Sequence, residues 1–180
     1  HTWNATDAAS TSNTTPYYRG IGWYRLDFNY SGNGASQWLQ FDAASIVADV
    51  WLNGVKLGTH SGAFSAFRFD VTPLLKAGNN TLVVKVNNTA PTTATDPTAV
   101  APLSGDFNMA GGLYRGVSLV SAPSAANIAL NDLGSTGVYA KTAKLGEVTT
   151  NGNSAFASAT VDVNTKLSNR AVAAGNYSVR

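Results

Sequence analysis

The reactive side chains of this protein are few, and their types bound its chemistry. Its 180 residues hold nine aspartates, a single glutamate (Glu147), two histidines (His1 and His60) and no cysteine. Without cysteine there is no disulfide, Cys-ligated zinc, iron–sulfur cluster or thiol nucleophile. Two histidines leave little for a His-based metal site, and neither a metal nor another cofactor is expected in this chain. A mechanism that needs two glutamates is excluded within it. Asp106 has the most suggestive surroundings. It stands with Asn108 in Gly105-Asp106-Phe107-Asn108-Met109-Ala110-Gly111-Gly112, where glycines allow close approach of the backbone to a ligand. An ionised carboxylate there offers two strong acceptor oxygens. The plainer alternative is that Asp106 caps the turn before Leu113–Val120.

Other side chains invite weaker readings. Arg25 and Arg115 lie on the polar faces of strands, where pairing with a nearby Asp is the expected role. His60, in Gly58-Thr59-His60-Ser61-Gly62, reads as a solvated loop residue. Trp38, Trp51, Tyr17 and Tyr18 either stack on pyranose faces or pack in the core and between domains. Trp51, on the polar face of its strand, implies contact with a domain outside the chain.

The elements that must position these groups are strands. Apolar residues alternate with polar ones in Trp23–Tyr30 (Tyr24, Leu26, Phe28 and Tyr30 on one face), Gln37–Asp42, Ala48–Leu52 and Thr81–Asn87, the pattern of half-buried antiparallel strands. Asn53-Gly54 between Val50-Trp51-Leu52 and Val55-Lys56-Leu57 is a two-residue hairpin signal, because both residues tolerate positive φ. Asp70–Gly78 reads as one helical turn capped by Thr72, with Pro73 at its first position and Gly78 ending it. Short strands and turns at this spacing indicate a β-sandwich or jelly roll. Asn88–Pro102 has no periodicity and is a loop of the length usually reserved for function or disorder. After the small-residue linker Ser121-Ala122-Pro123-Ser124, alternation weakens to Ile128/Leu130, Val161/Val163 and Tyr177/Val179.

Apolar residues make up 44% of the chain and charged residues 12%, the latter about half the usual share. Twelve basic against ten acidic residues give a net charge of +2 with no Lys/Arg run, so the clustered cations that nucleic acid requires are missing. No stretch approaches the ~18 apolar residues of a membrane helix. Low charge, abundant Asn and Thr, and the lack of cysteine fit an exported bacterial protein, secreted or periplasmic.

Five segments in order resemble one known family. They are His1-Thr2-Trp3-Asn4 with Tyr18–Arg25; Phe41-Asp42-Ala43-Ala44 with Ala48–Gly54; Phe67–Leu75; Gly78–Asn88; and Gly105–Val117, which carries Gly-Asp-Phe and Gly-Gly-Leu-Tyr-Arg. Together they are similar to the sugar-binding jelly roll of glycoside hydrolase family 2, which includes β-galactosidases, β-glucuronidases and β-mannosidases. The resemblance implies an all-β protein: a galactose-binding-like jelly roll over residues 1–122, lacking its first strands, then a truncated immunoglobulin-like sandwich over 123–180. Such a sandwich needs ~100 residues.

The resemblance also implies a non-catalytic fragment of a retaining glycosidase, most often a β-galactosidase. Its catalytic (β/α)₈ barrel and both catalytic glutamates, which retaining chemistry places ~5 Å apart, lie outside the chain. Asp106, with Asn108 assisting, would then contact hydroxyls of the terminal sugar in the parent's active site. The partners implied are a β-glycoside sugar, met through the parent, and the barrel. Residues 126–180, poor in apolar mass, are expected to be poorly ordered or paired with a second copy through open strand edges. A free-standing carbohydrate-binding jelly roll is the alternative from another class, and a structural sandwich of a surface adhesin a third.

Overall fold

The computed structural model describes residues 20–89, 110–150, 153–170 and 173–178. The chain divides into two compact units, 1–123 and 124–180, and no α-helix occurs among the described residues.

The first unit has seven strands: β1 (Ile21–Tyr30), β2 (Ser36–Phe41), β3 (Val47–Leu52), β4 (Val55–Ser61), β5 (Phe67–Asp70), β6 (Gly78–Asn87) and β7 (Val117–Ala122). Four form an antiparallel sheet in the order β1-β6-β3-β4, and three form a second in the order β5-β2-β7. The alternation in the sequence sets the register. Ala48, Val50 and Leu52 of β3 lie opposite Val86, Val84 and Leu82 of β6, and all six are buried. They pack with Leu39 and Phe41 of β2, Phe67 of β5 and Val71 into one core between the sheets. Phe41 stacks on Phe67 with centroids 4.7 Å apart. This is the jelly-roll sandwich that the sequence predicts.

The β3–β4 turn is built as Asn53-Gly54 requires, with φ of 51° and 83°. Asn53 does more than turn the chain. Its Nδ2 donates to the Leu74 carbonyl and to Asn80 Oδ1, both at 2.9 Å, and its Oδ1 accepts from Thr81 N at 3.0 Å. Asn80, 1% exposed, donates to the carbonyls of Lys76 (2.7 Å) and Gly78 (2.9 Å) and accepts from Lys76 N (3.0 Å). All the side-chain polar atoms of buried Asn80 and half-buried Asn53 are partnered, and the pair ties the hairpin to the turn that precedes β6.

Four local expectations are corrected. The 72–74 turn is capped by Asp70, whose Oδ1 accepts from Thr72 N at 3.1 Å. The Thr72 hydroxyl instead accepts from Gln37 N of β2 at 3.0 Å. His60 belongs to β4, opposite buried Ala48, so it faces inward, and its ring stacks on Phe67 at 4.0 Å. Leu26 is 57% exposed, because β1 is an edge strand and the sandwich is open beside it. Residues 173–178 hold no strand, so Tyr177 is not in a ladder, and Val179 lies outside the described residues.

The second unit contains β8 (Ala126–Ile128), a 3₁₀ turn at Asp132–Gly134, β9 (Val138–Thr150), β10 (Asn153–Thr165) and β11 (Leu167–Asn169). β9 and β10 form a long antiparallel hairpin, and β11 pairs with β8. At the base of the hairpin the Tyr139 hydroxyl donates to Asp132 Oδ2 at 2.6 Å and accepts from Ser135 Oγ at 2.8 Å. That bond to Asp132 raises the Tyr139 pKa above its usual value. Glu147 sits in β9, opposite Phe156 of β10.

Candidate functional site

Asp106 and Asn108 lie outside the described residues, as do Tyr17 and Tyr18. The structure does define the frame on either side of Asp106. β6 ends at Asn87, whose carbonyl accepts from Ile46 N at 3.1 Å, and the chain is described again from residue 110. Gly112 there exchanges two backbone hydrogen bonds with Ser45, at 3.0 and 3.2 Å. Ser45 and Ile46 are neighbours in the β2–β3 connection. The segment containing Asp106 is therefore bounded at both ends by one corner of the sandwich.

That corner is firmly made. On the departing side, Asn88 accepts from Gly20 N through its side chain at 2.8 Å, and its own N–H donates to the Gly20 carbonyl at 3.1 Å. On the returning side, the Tyr114 hydroxyl donates to the Ala63 carbonyl at 2.5 Å. Asp42 N donates to the Gly116 carbonyl at 3.0 Å, and Leu113 N lies 3.4 Å from the Tyr24 hydroxyl. Gly62 N closes the corner on the Ile46 carbonyl at 3.0 Å. Ser45 is 2% exposed, and its hydroxyl has no partner among the described residues.

The other candidates separate clearly. Trp38 is 3% exposed and packs inside, so it is no sugar platform. Trp51 is half-buried and stacks on Trp23 of β1, centroids 5.8 Å apart. Sequence reasoning missed Trp23 as a ring partner, although period-two alternation puts it on the same face as Arg25 and Asp27. Arg25 pairs with Asp27 at 3.1 Å, both exposed. Arg115 lies over the Tyr114 ring, 5.5 Å from its centroid. Burial pushes the His60 pKa below its usual value, against the backbone hydrogen bond with Gly62 that raises it, which makes His60 a neutral packing ring at pH 7.

Asp49 was also missed. It accepts from Lys56 at 2.7 Å, from Lys85 at 3.1 Å and from Thr59 at 2.6 Å. Burial pushes its carboxyl up, and these three donors overcome that effect and bring it down to about 2. A cavity of about 400 Å³ opens between β1 and β7, lined by Tyr24, Leu26, Phe28, Leu82, Leu113 and Leu119 among others. Its walls are almost wholly apolar, so it offers few partners to sugar hydroxyls. Among the described residues no group of His, Asp and Glu is placed to hold a metal ion.

A sandwich of a four-stranded and a three-stranded antiparallel sheet belongs to the class of all-β jelly rolls. Comparison with known proteins makes the class definite: residues 6–123 match the family described as "Glycosyl hydrolases family 2, sugar binding domain", and the chain belongs to that family. It is 38% identical over 142 residues to a β-glucuronidase of Bacteroides fragilis, covering 77% of this chain and 19% of that protein. It is 32% identical over 108 residues to a β-galactosidase of Thermoanaerobacter pseudethanolicus, covering 57% and 14%. The solved structure of Bacteroides uniformis β-glucuronidase superposes with a TM-score of 0.72 at 31% identity, over 95% of this chain and 18% of that one. The chain spans about one fifth of the length of these β-glucuronidases.

Proposed function

We propose that this chain is the substrate-positioning part of a retaining family 2 glycosidase, and that Asp106, assisted by Asn108, holds hydroxyls of the terminal sugar in the parent's active site. The observation that carries the reading is the shared corner at Ser45-Ile46, which anchors both ends of the Asp106 segment. The chemistry is that of a carboxylate accepting from sugar hydroxyls. Cleavage itself belongs to two carboxyls ~5 Å apart, which a chain with one glutamate would receive from the barrel of the parent.

Family membership led the sequence reading to β-galactosides. The B. fragilis and B. uniformis relatives are named β-glucuronidases, and we take a β-glucuronide as the parent's substrate. A β-galactoside is the second reading, supported by the T. pseudethanolicus relative. Assay of the full-length parent on p-nitrophenyl β-glucuronide and β-galactoside decides between them. The proposal expects at least a tenfold higher kcat/KM on the glucuronide, about 1.4 kcal/mol of discrimination. A preference for the galactoside overturns the glucuronide assignment, and turnover of neither overturns both substrate assignments.

A further inference from the structure

The outer face of the four-stranded sheet carries an arrangement that neither the core nor the Asp106 corner uses. Across the strands, the register sets Trp23, Lys85, Asp49 and Thr59 in one row. It sets Arg25, Val83, Trp51 and Lys56 in the next. Trp23 is 63% exposed and stacks on Trp51 with ring planes inclined by 29°. The Lys56 ammonium stands 5.5 Å from the centroid of the Trp51 ring. The face is therefore an aromatic slab interleaved with charges.

Two properties decide what such a face fits. Protein–protein interfaces are depleted of charge at their centre, whereas here Lys85 stands directly across from Trp23, and Asp49 follows it in the same row beside the stacked indoles. A pyranose suits the pattern: its C–H face lies on an aromatic ring while its hydroxyls reach polar groups beside that ring. The charges do not cancel, because Asp49 is one carboxylate shared between two lysines. Arg25 is balanced by Asp27. One positive charge is left over beside the rings, and Lys56 is the more exposed of the two lysines.

We propose that this face is a saccharide-binding surface for uronate-bearing glycans, with Trp23 and Trp51 as the stacking platform and Lys56 as the partner of the sugar carboxylate. The inference is independent of the role proposed for Asp106, since it concerns different residues and is read by binding to the 180-residue chain rather than by turnover of the parent.

The test is a titration of this chain at low salt with a β-1,4-linked tetramer of glucuronic acid and with cellotetraose, its neutral counterpart, followed by tryptophan fluorescence. The tetraglucuronate should bind with a Kd of about 1 mM or tighter and at least about threefold more tightly than cellotetraose, the scale of one exposed ion pair. That preference should shrink as salt is raised. Trp23→Ala, at an exposed position that keeps the fold, should weaken both sugars by about tenfold. Lys56→Gln should abolish the preference while leaving cellotetraose unchanged. Absence of binding by either sugar, or binding that survives Trp23→Ala, overturns the inference and leaves a protein partner as the occupant of the face. A preference that survives Lys56→Gln overturns the uronate assignment.

Discussion

The two units of the chain both build antiparallel strands but turn them to different ends. In the first, every buried apolar side chain of the described residues falls between Trp38 and Val86, because two sheets face each other and each alternating strand has something to cover. In the second, β9 and β10 are the longest strands, 13 residues each, yet Val138, Leu145, Val161 and Val163 are all exposed. Backbone pairing alone builds a hairpin. A core needs a second apolar layer, and isolated hairpins are marginal without one.

This contrast can be broken by substitution, with the largest effects expected in the first unit. All four tryptophans precede Pro123, so their fluorescence reports that unit alone. Phe41→Ala removes a fully buried ring stacked on Phe67 and should cost about 3–5 kcal/mol in denaturant unfolding. A loss below about 1 kcal/mol would mean that the two sheets do not share one core. Asn80→Ala strands the backbone groups of Lys76 and the Asn53 amide, and should cost about 2–3 kcal/mol; an unchanged midpoint would show the amide pair to be dispensable.

Electrostatics come next in size. The Asp49 carboxyl, held down to about 2, stabilises the fold above the unfolded-state pKa near 3.9. That contribution is lost as pH falls from about 4 through 2. Because Lys56 is half exposed, screening reduces it to about 1 kcal/mol. Asp49→Asn should remove this step from the acid unfolding curve and leave the rest in place. A curve identical to wild type would show the lysine pairs to be idle. Smallest of all should be Val163→Ala in β10: Val163 is 65% exposed, and the change should stay within about 0.5 kcal/mol by hydrogen exchange of the second unit. A larger loss would reveal packing in that unit comparable to the first.

How much the sequence discloses follows the same line. Alternation in Ala48–Leu52 and Thr81–Asn87 was legible because each side of the strand meets one environment. Asn53-Gly54 was legible because a tight turn demands positive φ. The inward turn of His60 was not, since it depends on which strand β4 joins and on Phe67 lying across it. The clamp on Asp49 was equally hidden: Lys56 and Lys85 come from two other strands and meet the carboxylate only once the register is set. Trp23 and Trp51 are 28 positions apart in sequence and become neighbours through β6. Asp106 was singled out by its motif rather than by periodicity, and the structure contributes the corner that bounds its segment.

The central claim is that Asp106 orients sugar for the parent enzyme instead of stabilising the jelly roll, and steady-state kinetics of full-length Asp106→Asn beside its melting curve test it most directly. The account predicts melting within about 1 °C of wild type and a fall in kcat/KM of about one to two decades, the loss of a charge-assisted hydrogen bond worth roughly 1.5–3 kcal/mol. An unaltered kcat/KM, or a loss of stability of about 0.5–2 kcal/mol as expected for a cap with activity kept, would contradict it.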